Sequence, residues 1–161
     1  MAKTPEMNAP APDIALRGVR LDADEAHYGD YRLSGQRGRP IVLAFYPGDD
    51  TAVCTRQMCA YSSGLEEFTG LGATVWGISR QDLGSHERFA RKHGLRLPLL
   101  ADPDGTAVAA YGIGLGGSLR RAVFVIDAGG ILRWKHVALV GLTYQNITTL
   151  TEQLAALTPD G

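Results

Sequence analysis

The sequence lacks a long apolar run, a strong excess of one charge, and more than a few cysteines. A membrane-spanning helix needs about 20 consecutive apolar residues, and no segment supplies them, so we expect no membrane association. The 16 Lys and Arg residues nearly balance the 17 Asp and Glu residues, which leaves no overall positive field to attract nucleic acid. The predicted function therefore involves neither a membrane nor a nucleic acid.

Cysteine is scarce, because the chain has only Cys54 and Cys59. No C-x-x-C pair and no H-x-x-x-H pair accompanies them, so the sequence predicts neither a metal site nor a cofactor. Residues 1–11 lack the apolar centre of a secretory signal, which predicts a cytoplasmic protein. Since the cytoplasm keeps ordinary thiols reduced, we expect the two cysteines to serve in chemistry and not as a structural disulfide.

The rest of the composition is typical of a globular domain. With 161 residues, of which 45% are hydrophobic and 20% charged, the chain is long enough to bury one core. We predict flexible ends at residues 1–11 and 158–161, and one domain over residues 12–157.

Apolar patterns predict alternating strands and helices. Short apolar runs indicate strands, and apolar side chains three or four residues apart indicate helices. The predicted strands cover residues 40–46, 73–78, 97–100, 122–126 and 131–136. The predicted helices cover residues 55–69, 85–93, 106–111 and 144–157, and residues 14–33 give only a weak extra hairpin. This order predicts a single-domain α/β thioredoxin-like fold, with a central mixed sheet and helices on both faces.

The chemistry is concentrated where the strand 40–46 leads into the next helix. Cys54 lies at the predicted start of that helix, where unpaired backbone N–H groups stabilise a thiolate. Thr51 can direct its hydroxyl to the same point, and Pro47 can shield the thiolate from water. This arrangement predicts a nucleophilic thiol, which is the group that cleavage of a peroxide bond needs.

A cation beside Cys54 would stabilise both the thiolate and the charge that develops on the departing oxygen. Arg120 and Arg121 stand directly before the strand 122–126, which can lie beside the Cys54 junction. Because side chains alternate across a strand, only one of these two arginines should face the site.

The spacing of the two cysteines sets a geometric condition. Five residues along an ideal helix, two Cα atoms are about 8.6 Å apart, which exceeds the ~7 Å limit for a disulfide. A bridge between Cys54 and Cys59 would therefore require the helix to unwind locally.

Pro47, Thr51 and Cys54 reproduce the pattern P-x-x-x-T-x-x-C, and the sequence resembles the Q-type peroxiredoxins, also called bacterioferritin comigratory proteins. The similarity covers residues 12–136, including the segments 54–57, 85–90, 99–105 and 121–127. The resemblance implies that Cys54 is the peroxidatic cysteine, Cys59 the resolving cysteine and Arg121 the catalytic arginine.

The resemblance also implies an activity. Hydrogen peroxide and organic hydroperoxides would be reduced through a Cys54 sulfenic acid, which Cys59 resolves as an intramolecular disulfide. Thioredoxin or a similar dithiol protein would supply the electrons, without a cofactor, and the protein would be a monomer or a weak homodimer. Two alternatives stay open, a protein dithiol–disulfide oxidoreductase and a non-enzymatic redox-sensing adaptor.

One difference from the Q-type pattern lies directly before the peroxidatic cysteine. Ala52 and Val53 stand where that group often has Pro-Gly. A β-branched residue in place of glycine changes the preferred backbone conformation, and with it the ease of unwinding.

Overall fold

The computed structural model describes residues 4–49, 51–138 and 145–157 of the chain. The strands are β1 Ala15–Asp22, β2 Glu25–Arg32, β3 Ile41–Phe45, β4 Thr74–Ser79, β5 Leu99–Ala101, β6 Gly114–Leu115, β7 Ser118–Leu119, β8 Ala122–Ile126 and β9 Leu132–Val137. The helices are α1 Ala52–Ser63, α2 Leu65–Gly70, α3 Leu83–His93, α4 Thr106–Ala110 and α5 Ile147–Ala155, and a 3₁₀ turn spans Leu33–Gln36. Among the described helices, none is both long and apolar enough to cross a bilayer.

One mixed sheet organises the described residues. Its order is β2-β1-β5-β4-β3-β8-β9, and β6 pairs only with β7 in a separate small hairpin. The neighbouring strands β3, β4 and β5 run parallel, whereas β1 and β8 run antiparallel to β5 and β3. Every residue of β3 is buried and apolar, as expected for a strand covered on both faces.

Two apolar layers cover the sheet. Val42 and Ala44 of β3 face the layer that contains residues of α1, α2, α3 and α5. The alternate residues Leu43 and Phe45 face the layer that contains α4 and the 3₁₀ turn. The prediction of a central mixed sheet with helices on both faces is confirmed.

The helix predicted over residues 55–69 begins earlier and is broken. Thr51 is the N-cap, so α1 starts at Ala52, and Cys54 is its third residue. The break falls at Gly64, which separates α1 from α2. Ile147 of α5 packs against this glycine so closely that a Cβ there would lie 2.2 Å from its Cδ1 atom. The break thus reflects a tertiary contact that the local apolar pattern does not reveal.

The hairpin before β3 is more extensive than the sequence indicated. β1 and β2 pair along all eight residues of each strand, and β1 also joins β5. β2 lies at the edge of the sheet and has no buried residue, so its sequence lacks a strong strand pattern.

The N-terminal segment is attached to the sheet where it is described. Asn8 and Ala11 donate backbone hydrogen bonds of 2.7 and 2.9 Å to the β8–β9 hairpin. Residues 4–11 of the predicted flexible tail therefore lie against the domain predicted for residues 12–157. The predicted flexible end at 158–161 and the predicted helix start at Tyr144 lie outside the described residues.

Candidate active site

The strand register brings Arg121 to the start of α1. Phe45 of β3 pairs with Ala122 of β8, so Arg121 lies opposite Tyr46, at the end of the sheet from which the chain enters the helix. Arg121 is 3% exposed, whereas Arg120 is exposed to solvent. The alternation of side chains thus directs Arg121, and not Arg120, towards the helix that carries Cys54.

Cys54 meets the Arg121 guanidinium directly. Its side chain is a fully buried free thiol, and Arg121 Nη2 donates a 3.1 Å hydrogen bond to Sγ. Cys54 also lies in the first turn of α1, where backbone N–H groups lack intrahelical partners and the helix dipole favours negative charge. A fixed cation and the N-terminus of a helix therefore both stabilise a thiolate at this position.

Gln57 holds the same guanidinium from the other side. Its Oε1 atom accepts a short hydrogen bond from Arg121 Nη1, and its Nε2 atom donates to the Tyr61 hydroxyl at 3.3 Å. Tyr61 in turn donates to the backbone carbonyl of Gln145 at 2.6 Å, just before α5. Gln57 was not among the site residues predicted from the sequence. Its position three residues after Cys54, on the same helix face, is the signal that could have found it.

Thr51 and Pro47 lie in the loop that leads into α1. Thr51 is exposed, and its hydroxyl donates to the Gly48 carbonyl at 3.1 Å without capping the helix. Pro47 is half-buried directly after β3. Within the described ranges, no hydrogen bond joins Thr51 to Cys54. The structure therefore brings Arg121 into contact with Cys54, whereas Thr51 and Pro47 stand in the adjoining loop.

Cys59 lies on the same continuous helix as Cys54 and is a free thiol. It is half-buried against the apolar layer that contains α1, and burial raises the pKa of the Cys59 thiol above its usual value. In this state of the helix, Cys59 is therefore held as a protonated thiol, apart from Cys54.

A buried polar cluster beside the loop was not predicted from the sequence. Tyr46, in the same apolar layer as Cys54, donates a 2.7 Å hydrogen bond to Asp49, which in turn lies beside His86. Burial, together with the Asp49 charge, raises the pKa of Tyr46 well above its ordinary value, so its hydroxyl stays protonated.

The fold and this site define a thioredoxin-like α/β protein with a cation-paired thiol at the start of a helix. The model of the AhpC/TSA family matches residues 7–135. The chain therefore belongs to the AhpC/TSA family.

Curated relatives agree with this assignment. The chain is 39% identical over 105 residues to the chloroplastic peroxiredoxin Q proteins of Oryza sativa subsp. japonica and Triticum aestivum, an alignment that covers 63% of this chain and 48% of each relative. The Arabidopsis thaliana protein of the same name is 39% identical over 117 residues, which cover 65% of this chain and 54% of the relative. The chain thus matches about half the length of these relatives.

A solved structure confirms the fold. The reduced 2-Cys peroxiredoxin of Plasmodium vivax superimposes with a TM-score of 0.86 and covers 93% of this chain and 80% of its own, at 21% sequence identity. The predicted thioredoxin-like fold is confirmed by this similarity, as is the predicted membership of the peroxiredoxins by the family match and the curated relatives.

Proposed function

We propose that this protein is a thiol-dependent peroxidase in which Cys54 attacks a hydroperoxide and Cys59 resolves the product. The observation that carries the proposal is the 3.1 Å contact between Arg121 Nη2 and Cys54 Sγ at the first turn of α1. A thiolate nucleophile and a fixed cation are the two groups that this reaction requires, and no cofactor takes part.

In the first step, the Cys54 thiolate attacks one oxygen of the hydroperoxide. The oxygen–oxygen bond breaks, Cys54 becomes a sulfenic acid, and the departing hydroxide or alkoxide takes up a proton. Arg121 stabilises the thiolate and then the charge on the departing oxygen, while Gln57 fixes the plane of the guanidinium. We assign Thr51 the role of a hydroxyl partner for the peroxide, and Pro47 that of a shield against water.

In the second step, Cys59 displaces water from the Cys54 sulfenic acid and forms an intramolecular disulfide. Because the two residues are five positions apart on one helix, their Cα atoms are about 8.6 Å apart in ideal geometry, beyond disulfide reach. The helix must therefore unwind between them. Unwinding also removes Cys59 from the apolar layer, which relieves the burial that raises its pKa and lets it act as a thiolate.

A dithiol protein of the thioredoxin kind would reduce this disulfide and complete the cycle. We propose hydrogen peroxide and organic hydroperoxides as substrates, a cytoplasmic location, and a monomer or weak homodimer as the working form. The peroxiredoxin Q names of the relatives support the class of reaction.

Turnover tests the proposal. Stopped-flow measurements of hydrogen peroxide reduction, followed by recycling with thioredoxin and separately with glutaredoxin, should show many peroxides consumed per chain with at least one reductant. A single round of oxidation that neither reductant reverses would favour the redox-sensing adaptor. Disulfide exchange with protein substrates in the absence of peroxide consumption would favour the dithiol–disulfide oxidoreductase.

A further inference from the structure

A buried carboxylate ties the loop before α1 to two other parts of the fold. The Asp49 side chain is 3% exposed, and its Oδ1 atom accepts the hydrogen bond from the Tyr46 hydroxyl at 2.7 Å. Its Oδ2 atom accepts from the Ser85 hydroxyl at 2.7 Å and lies 2.8 Å from His86 Nδ1. The Asp49 backbone N–H also donates a short hydrogen bond to Gln81 Oε1. We call Asp49, Tyr46, Ser85 and His86 the loop latch.

The hydrogen bonds of His86 connect the latch to both α3 and β5. The ring is fully buried, and Nε2 lies 3.0 Å from the Leu100 carbonyl, which can only accept, so Nε2 carries a proton. Nδ1 faces Asp49 Oδ2, and two lone pairs at 2.8 Å would repel, so a second proton lies between these atoms. This contact is a second link between Asp49 and α3, beside the hydrogen bond from Ser85.

The hydrogen-bond partners of Asp49, both in the latch and at its backbone, all lie outside α1. Tyr46 follows β3, Ser85 and His86 belong to α3, and Gln81 precedes α3. None of these hydrogen bonds has to break when α1 unwinds. The latch therefore attaches the loop to parts of the fold that unwinding of α1 does not require to move.

We propose that Asp49 is a positioning residue for peroxide reduction, which acts through the loop latch to hold Thr51 and Pro47 beside Cys54. This inference rests on the proposed function and adds residues to the same site. It predicts that a change at Asp49 slows the reaction of Cys54 with peroxide but not its reaction with a simple alkylating reagent. The latch positions groups that align a peroxide, whereas the Cys54 thiolate is stabilised by Arg121 and the start of the helix, neither of which takes part in the hydrogen bonds of Asp49.

The test compares two electrophiles on the reduced full-length protein. Hydrogen peroxide needs the aligned loop, but iodoacetamide needs only a reactive thiolate. Arg56 lies between the two cysteines, so tryptic digestion places Cys54 and Cys59 on separate peptides and mass spectrometry reports Cys54 alone. The second-order rate constants with both reagents are measured for the wild type, Asp49→Ala and Asp49→Asn.

Asp49→Ala should slow Cys54 oxidation by hydrogen peroxide at least about tenfold, because displacements near 1 Å can cost ~10²-fold in rate. Alkylation by iodoacetamide should stay close to the wild-type rate. Asp49→Asn should restore most of the peroxide rate, because its amide can accept from Tyr46 and donate to a neutral His86.

Asp102→Ala is the matched control. Asp102 is another fully buried carboxylate, which accepts from Ala107 and Val108 N–H groups at the start of α4, in the opposite layer. This variant should lose stability yet keep the wild-type peroxide rate. If Asp49→Ala does not fold, Ser85→Ala tests the proposal in its place. This change removes one hydrogen bond of the latch at a partly exposed position.

The proposal would be supported if Ser85→Ala lowered the rate constant with hydrogen peroxide several-fold and left the rate constant with iodoacetamide unchanged. Equal slowing of both reactions by Asp49→Ala, or an unchanged peroxide rate in Asp49→Ala or in the deciding Ser85→Ala, would overturn it and leave the latch a structural feature only. Failure of the proposed function would look different, because the wild type itself would then not react with hydrogen peroxide.

Discussion

Two hydrogen bonds of the Arg121 guanidinium together explain its orientation. One nitrogen donates to Cys54 Sγ, while the other donates to Gln57 Oε1, which sits one turn further along α1. A planar guanidinium held at both ends presents fixed donors, which a lysine ammonium could not do. The same helix thus provides both the nucleophile and the residue that positions its cation.

Replacing Arg121 should affect the first chemical step. We expect Arg121→Ala to lower the second-order rate constant with hydrogen peroxide by about 10²–10³-fold, as for loss of one oxyanion donor. Arg120→Ala is the control, since this exposed neighbour faces away from the site and should keep the wild-type rate. Rapid-quench kinetics check both variants, and an unaffected rate in Arg121→Ala would shift the role to Arg120.

Sequence alone could predict some of these residues and not others. Cys54 is predicted by its position at the start of a helix and by the P-x-x-x-T-x-x-C pattern. Arg121 is predicted by the alternation of side chains along a strand together with the family resemblance. Asp49 and His86 could not be paired, because 37 residues separate them and only the fold brings the loop against α3. The role of Gln57 could not be predicted either, because only the structure shows that the Arg121 side chain reaches the helix face on which Gln57 lies.

At the scale of elements, the break between α1 and α2 would limit the part of the chain that unwinds in the proposed resolving step. Gly64 has φ −91° and ψ 11°, values that other residues also adopt, so its lack of a side chain matters for space and not for backbone freedom. Ile147 fills that space from α5. The C-terminal end of α1 is therefore held by a tertiary contact, at which the proposed unwinding would stop.

Gly64→Ala should destabilise the protein by about 1–3 kcal/mol, because the new methyl group overlaps the Ile147 side chain. Gly70→Ala is the matched control, since no atom lies within 4 Å of a Cβ at that helical position. It should leave stability unchanged or raise it slightly. Urea unfolding measures both, and the Gly64→Ala, Ile147→Ala double variant should lose less stability than the sum of its single changes.

The elements themselves differ in how well their sequences predict them. β3 and β8 are continuous apolar runs, β4 is buried along most of its length, and α3 ends at Gly94 in the left-handed conformation, so each was predicted closely. β2 was underestimated because an edge strand needs no apolar face. The helix break was missed because its cause lies about 80 residues further along the chain.

At the scale of the whole molecule, buried tyrosines connect stability to alkaline pH. Burial, aided by nearby carboxylates, raises the pKa of Tyr46 and Tyr111 above the ordinary value of 10.0. The folded state therefore retains these protons after the unfolded chain has begun to lose them. Their contribution is fully present below pH 10.0 and declines as the pH rises above it.

The free energy of unfolding should accordingly fall more steeply above pH 10.0 in the wild type than in Tyr111→Phe. Tyr111→Phe also loses the hydrogen bond to the Pro12 carbonyl, which lowers its stability at all pH values. Tyr28→Phe, at an exposed position of β2, should keep the wild-type slope. Urea unfolding between about pH 8 and pH 11 measures the slopes, and equal slopes in all three proteins would contradict this account.

The central claim, that Cys54 is oxidised by peroxide and resolved by Cys59 of the same chain, is tested most directly by counting thiols during a titration with hydrogen peroxide. The wild type should lose two thiols per peroxide and give no dimer on a non-reducing gel. Cys59→Ser should lose one thiol and stop at a sulfenic acid, and Cys54→Ser should lose none. Peroxide-dependent thiol loss in Cys54→Ser, or disulfide-linked dimers of the wild type, would contradict the claim.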